Sequence, residues 1–424
     1  MKLSNIWSWT KILTGFFSLQ LLVQAISALI GIVIVRVVDK HEYAFYTITN
    51  AFLASASNMA DSGITVALTA IGGRVWQDRI GFGRLINTAF SIRKWFTLIV
   101  IVFIVCSLPV MLFRNGATGM KISGLTGALI LSVLFQFGAG IYLIVPQLHS
   151  DYKLLLRVAL YSALLRAALL AIAWLTVLNS FTVVLMNCAA FAFTMWIYRR
   201  YARKQVDLTA APDPDIRRSI LRIVRKQVPY ELYGVLSGQI SIFLMTLFGT
   251  NSRVADVGAL SRIGMLFAAM TGVLTNILIP RFVRCQDNKR LTGLFLKILL
   301  LFCAAVCSIL IPVGLFPEQV IRILGSQYAS LGRDCLLAVS VSVVATLLGA
   351  VWTINSSRGW IIPAWIGLSV GIGAQILSLL AFNIHTVHGV LMMGLSVNCA
   401  GLAINLLASL WFLHRASRNL DVRL

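Results

Sequence analysis

The chain has 424 residues, of which 59% are hydrophobic and only 12% charged, and it carries a formal net charge of +22. A mean hydropathy of +0.88 excludes a soluble globule of several domains, because too little polar surface is available to cover one. The basic residues collect in alternate gaps between long apolar runs, the pattern of a chain threaded repeatedly through a membrane.

Apolar stretches of about 18–25 residues match the roughly 20 that a helix needs to cross the hydrocarbon core. In chain order the first half predicts spans near 12–35, 43–70, 95–113, 123–147, 154–177 and 181–198. The second half predicts spans near 231–249, 255–279, 293–315, 335–354, 361–382 and 390–412. The expected fold is all-α: a polytopic integral membrane protein of twelve helices in two six-helix lobes, 1–198 and 229–424, joined by a basic segment, 199–228. With six spans each, both lobes enter from the same side, so any repeat between them is parallel, about an axis along the membrane normal.

The first two spans carry polar stripes at helical spacing. Gln20, Gln24, Ser27 and Gly31 share one face of the first; Thr47, Asn50, Ala54, Asn58, Asp61, Thr65 and Thr69 share one face of the second. Unpaired polar groups are costly in lipid, so these stripes should face the bundle interior or a wet cavity, as helix–helix packing or as a substrate-lining surface. Gln20, Gln24, Asn50 and Asn58 are the cavity-lining candidates. In the fifth span Arg166 lies about halfway along, where a charge costs at least roughly 2.5–3.5 kcal/mol.

Between the halves, Asp213-Pro214-Asp215 offers a helix start. Ile216, Ile220, Ile223 and Val224 then fall on one face, with Arg217, Arg218, Arg222, Arg225 and Lys226 around it, and Pro229 is expected to end the stretch. Such a basic amphipathic helix should lie on the anionic inner leaflet. Glu231 opens the seventh span. Arg262 lies a few residues inside the outer end of the eighth, where its side chain could snorkel to the headgroups. Asp61, on a polar stripe, is a better candidate than Glu231 for a titrating coupling site.

Lys and Arg number 27 on the side that receives both termini and 7 on the other, which predicts cytoplasmic termini and leaves Arg166 and Arg262 inside the spans. Met1 to Thr10 shows no cleavage site ahead of the first span. The seven cysteines form no ligand cluster, and His385 with His388 lacks the company a metal site needs. No phosphate-binding loop, nucleophile elbow or zinc-protease helix is present, so neither ATP-driven transport by this chain nor an enzyme, cofactor or metal is expected, and no nucleic-acid partner either.

The run Arg36-Val-Val-Asp-Lys-His-Glu-Tyr-Ala-Phe-Tyr-Thr47, then Ala60-Asp-Ser-Gly-Ile64 and Gly73-Arg74, resembles the opening of the polysaccharide transporter family. These are the O-antigen-unit (Wzx-like) flippases within the multidrug/oligosaccharidyl-lipid/polysaccharide (MOP) exporter superfamily. Asp256-Val-Gly-Ala-Leu-Ser-Arg262 with Leu278-Ile-Pro-Arg-Phe282 is similar to the start of that family's second lobe, and Ile323-Leu-Gly-Ser-Gln-Tyr328 to its external turn before the tenth span.

The resemblance implies a V-shaped pair of lobes around a central cavity that opens alternately to either side of a bacterial inner membrane, driven by an ion gradient. It implies as cargo an oligosaccharide on undecaprenyl diphosphate, with membrane lipids and glycan polymerases or glycosyltransferases as partners. Fixed arginines would offset the lost hydration of a diphosphate, with Arg166 the first candidate and Arg262 the second. Three rivals stand beside it. A MATE-type drug/cation antiporter should have a cavity richer in carboxylates. The lipid II flippase branch usually carries two further C-terminal spans. A non-transporting scaffold for glycan assembly gains little from an arginine in mid-membrane.

Overall fold

The computed structural model describes residues 3–61, 63–149, 151–267, 271, 278–279, 282, 288–358, 360 and 362–417. Within these, the regular structure is helical, and the chain divides into two compact units, Met1–Leu247 and Phe248–Leu424. The first unit holds α1 (Leu3–Val37), α2 (Lys40–Asp61), α3 (Ile64–Val75), α4 (Arg79–Arg114), α5 (Gly119–Leu148), α6 (Tyr152–Leu175), α7 (Ser180–Gln205) and all but the last residue of α8 (Pro214–Phe248). The second holds α9 (Asn251–Ser261), α10 (Asn288–Leu315), α11 (Pro317–Leu324), α12 (Gly332–Ser357), α13 (Ala364–Ala381) and α14 (Val387–Ser417), with 3-10 turns at Ile263–Phe267 and Ser326–Leu331.

Helix starts follow local chemistry. Asp78 accepts the Ile80 N–H at the head of α4, and Asp151 the Leu154 N–H at the head of α6. Asn179 and Thr182 form a reciprocal capping box on α7. Asp213 accepts the N–H groups of Asp215 and Ile216 while Pro214 takes the first helical position, so the expected helix start is realised. Gly63, at φ 84°, turns the chain between α2 and α3.

Eight helices among the described residues are long and apolar enough to cross a membrane, and Ser237–Phe248 and Trp365–Ala381 are shorter apolar helices. The chain is a multi-pass membrane protein. Against the twelve spans expected, the second is divided by Gly63 into α2 and α3. The eighth begins as the 11-residue α9 and continues into residues mostly outside the described set.

The basic segment departs most from expectation. Pro229 does not end the helix: α8 is one helix of 35 residues that takes in both the amphipathic stretch and the start of the seventh span. Nor does the apolar face lie on lipid. Ile220 and Val224 are buried in the core of the first unit with Phe82, Leu85, Ile86, Ala89, Val145, Val158 and Ala202, and Ile216, Leu221 and Ile223 pack against that core. The cause is a strap, residues 204–213, bound along one face of α4. Arg79 Nη2 donates to the Lys204 carbonyl (3.2 Å), Asn87 Nδ2 to the carbonyls of Leu208 (2.9 Å) and Ala210 (2.7 Å), and the Asp213 N–H to Thr88 Oγ1 (2.9 Å). Gly83, between Arg79 and Asn87 at four-residue spacing, passes so close to the strap that a β-carbon would meet the Asp207 carbonyl oxygen at 2.0 Å. Thr209 donates its N–H and hydroxyl to the Asp207 carboxylate, and these bonds hold that carboxyl below its ordinary value. With the apolar face committed to protein, Arg217, Arg218, Arg222 and Arg225 point to solvent.

In the second unit α12 and α14 form the most extensive pair, with α13 and α10 against them. A buried polar cluster joins them: Ser409 Oγ donates to Asn355 Oδ1 (2.8 Å), and Asn355 Nδ2 donates to the Asn405 carbonyl (3.1 Å). His388 Nδ1 lies 3.2 Å from Asp334 Oδ1 and His385 Nδ1 lies 2.8 Å from the Phe248 carbonyl oxygen, so each histidine has its own polar contact.

Candidate functional site

Four helices of the first unit line a partly open cavity of about 400 Å³. Val23 of α1 contributes to one side. Gln136, Ala139, Gly140 and Leu143 come from α5, Ser162 and Arg166 from α6, and Asn187, Thr194 and Tyr198 from α7. The pairs α5–α7, α1–α6 and α6–α7 are among the most closely packed in the unit, so the cavity wall is rigid helix rather than loop.

Arg166 lies 14 residues into the 24-residue α6, about 21 Å from its start at 1.5 Å per residue. Its Nε is buried and, among the described residues, meets no hydrogen-bond acceptor; Oε1 of Gln136 is likewise buried without a donor. Tyr46 of α2 stands within electrostatic reach of the guanidinium. A buried donor and a buried acceptor left open on one cavity are the costly groups a polar ligand would satisfy. No Asp or Glu is among the described residues that line the cavity. Its fixed charge is therefore positive, which suits an oxyanion and disfavours a cation.

The other sequence candidates are distributed. Gln24, on α1 next to Val23, has a buried Oε1 without a donor among the described residues, and Gln20, one turn earlier, is half-buried. On α2 Thr47 is buried, Asn50 half-buried and Asn58 exposed, so that stripe runs from the interior of the unit to its surface. Arg262 belongs to the second unit, at the C-terminal cap of α9, whereas Arg166 belongs to the first. The side chains of Asp61 and Glu231 lie outside the described residues.

Three polar positions were missed. Gln136 and Asn187 stand alone in apolar runs, and an isolated amide deep in a span is the signal that would have found them. Arg93 falls between the predicted spans 43–70 and 95–113, yet α4 begins at Arg79 and buries Arg93 to 6% exposure. Its sign was the apolar rhythm of Phe82, Leu85, Ile86, Ala89 and Ile92, which continues the helix well before the span.

No family model matches the sequence, and no curated protein matches it. Solved structures do. The chain is similar to the inward closed form of the lipid II flippase MurJ, with a TM-score of 0.71 at 11% identity over 94% of this chain and 87% of that one. It is similar to an inward-facing multidrug resistance MATE transporter of the MOP superfamily, with a TM-score of 0.66 at 13% identity over 93% and 95%. For the eukaryotic MATE transporter AtDTX14 the values are 0.62, 11%, 95% and 98%. The chain has the fold shared by the MATE and MurJ transporters.

Proposed function

We propose that this protein is a flippase that moves an undecaprenyl-diphosphate-linked oligosaccharide, a repeat unit of O-antigen, capsule or exopolysaccharide, across a bacterial inner membrane by alternating access. The observation that carries the reading is Arg166, deep in α6, on a cavity lined without carboxylates among the described residues. A diphosphate crossing a low-dielectric slab needs such a fixed cation, and Arg262 is the second candidate for the same role. The fold is compatible with lipid-linked cargo, since one neighbour is a lipid II flippase. Glycan polymerases or glycosyltransferases on either side of the membrane would be its partners. Asp61, with Glu231 behind it, is the proposed residue for coupling to a proton or sodium gradient.

The MATE neighbours favour a second reading, drug/cation antiport. A positively charged cavity weighs against it. Deleting the gene decides between the two. Lipid-linked oligosaccharide should accumulate on the cytoplasmic leaflet and a surface glycan should disappear, with drug sensitivity unchanged. Arg166→Ala at normal protein levels should fail to complement, and Arg166→Lys should complement in part. Unchanged lipid-linked pools together with raised drug sensitivity would establish the antiporter instead.

A further inference from the structure

A second guanidinium stands against the wall of the cavity. Arg93, 14 residues into α4, has its guanidinium carbon 5.2 Å from the centroid of the Phe137 ring. Its two terminal nitrogens lie 3.2 and 3.4 Å from the point a β-carbon on residue 140 would occupy. Residue 140 is Gly140, one of the residues that line the cavity. The missing side chain brings a buried arginine of α4 up to the cavity wall, one helical turn along α5 from Gln136. Arg166 lines the cavity from α6, and Arg93 of α4 stands behind its wall at Gly140.

One guanidinium on a lining free of carboxylates among the described residues and a second behind the side-chain-free wall at Gly140 attract a multiply charged oxyanion more strongly than a singly charged one, and their planar forks match phosphoryl oxygens. The hydroxyls of Ser162, Thr194 and Tyr198 and the amides of Gln136 and Asn187 add donors and acceptors suited to phosphate and sugar oxygens. At ~30 Å³ per water the cavity spans the volume of about 13 waters, room for a diphosphate with one sugar, and because it is partly open the rest of an oligosaccharide would extend beyond it.

We propose that the first unit contains a phosphoryl-anion subsite formed by Arg166 and Arg93, with Gly140 as the residue that admits Arg93, and that it takes the diphosphate end of the cargo while the rest of the glycan lies elsewhere. The identity of the cargo rests on the function proposed above; the subsite itself does not. Arg93 is a binding residue here, not only a brace between α4 and α5.

The test uses the full-length protein in lipid nanodiscs, with inorganic pyrophosphate as probe, read by titration and by the ligand-induced rise in Tm. Wild type should bind pyrophosphate more tightly than phosphate, and chloride least. Arg93→Gln should weaken pyrophosphate about 10- to 100-fold, as expected for losing a charged hydrogen-bonding partner. Arg93→Lys should retain part of the affinity, and Gly140→Ala, which leaves both arginines present, should weaken it measurably. If Arg93 only braces the helices, Arg93→Gln will lower the Tm of the unliganded protein while Arg93→Lys and Gly140→Ala keep full pyrophosphate affinity, and that result overturns the proposal. A water-soluble, short-chain polyprenyl diphosphoryl sugar forms the second arm. Pyrophosphate binding that is lost in the variants but not displaced by this analogue upholds the subsite and sinks the cargo reading. Lipid-linked glycan flipped equally by wild type, Arg93→Gln and Gly140→Ala, with unchanged pyrophosphate binding, sinks the subsite and leaves the cargo reading standing.

Discussion

The carboxylate of Glu42 accepts both the backbone N–H (3.1 Å) and the hydroxyl (2.6 Å) of Ser180, a residue 138 positions away at the first turn of α7. Lys121, at the start of α5, pairs with the other oxygen of the same carboxylate and stands 5.8 Å from the centroid of the Phe45 ring. One acid thus joins the starts of α2, α5 and α7, and it faces the positive end of the α7 dipole. These are three of the helices that shape or flank the cavity.

Burial of Glu42 pushes its carboxyl up, but the bonds from Lys121 and Ser180 outweigh that and hold it below its ordinary value of 4.5. A depressed carboxyl stabilises the fold above its ordinary value, and the contribution is lost as pH falls through the depressed one. Glu42→Gln should therefore destabilise the protein at neutral pH by about 1–3 kcal/mol, with wild type and variant converging in acid. Thermal unfolding in detergent across pH 3–8 would measure the gap; a difference that did not change with pH would mean the clamp acts through packing alone.

Gly83 gives the strap a second test. Any side chain at that position would strike the Asp207 carbonyl, which lies 2.0 Å from the ideal β-carbon. Gly83→Ala should lift residues 206–213 from α4, at a cost of about 1–3 kcal/mol, and expose the Arg203–Lys204 bonds to trypsin. A control, Gly127→Ala, has open space at its β-carbon and should be neutral by the same assay.

The strap also shows where reading the sequence succeeds and where it stops. Asp213-Pro214 announces a helix start through local chemistry, and the structure begins α8 there. The isoleucine face was equally legible as a face, but lipid and protein are both apolar, so periodicity alone cannot say which one covers it. That was decided by Asn87 and Thr88, more than 120 residues away. Arg166 was legible because an ionisable residue inside an otherwise apolar run is costly and therefore conspicuous. Arg93 was hidden, since its helix begins in polar sequence and a basic residue beside Lys94 reads as part of a cytoplasmic loop. The place of Gly140 could not be read at all, because what a side chain there would meet depends on Arg93 of another helix.

The second unit should depend on its buried polar cluster in a graded way. Removing the Ser409 hydroxyl leaves Oδ1 of Asn355 without that donor in a residue only 2% exposed. Interhelical hydrogen bonds in membranes contribute about 0.6 kcal/mol on average and up to ~1.7. Ser409→Ala should fall in that range, while Asn355→Ala, which also opens a void between α12 and α14, should cost more. Because both residues lie in the second unit, neither change should alter pyrophosphate affinity in the first.

Transport should be more sensitive to Gln136 than to the sequence-derived candidate Asn58. Gln136 lines the cavity with a buried, unsatisfied Oε1, whereas Asn58 is exposed at the surface of its unit. A glycosyl hydroxyl is a donor that Oε1 can accept, and in a low-dielectric site that bond is worth more than it would be in water. Gln136→Leu keeps the volume, removes the acceptor and satisfies the orphaned position with an apolar group, so the fold should be unharmed or slightly stabilised. Flipping of a fluorescent lipid-linked glycan in proteoliposomes should nonetheless fall about 10-fold or more for Gln136→Leu and stay near wild type for Asn58→Ala. The reverse order would move the substrate path out of the α5–α6–α7 cavity and onto the exposed face of α2.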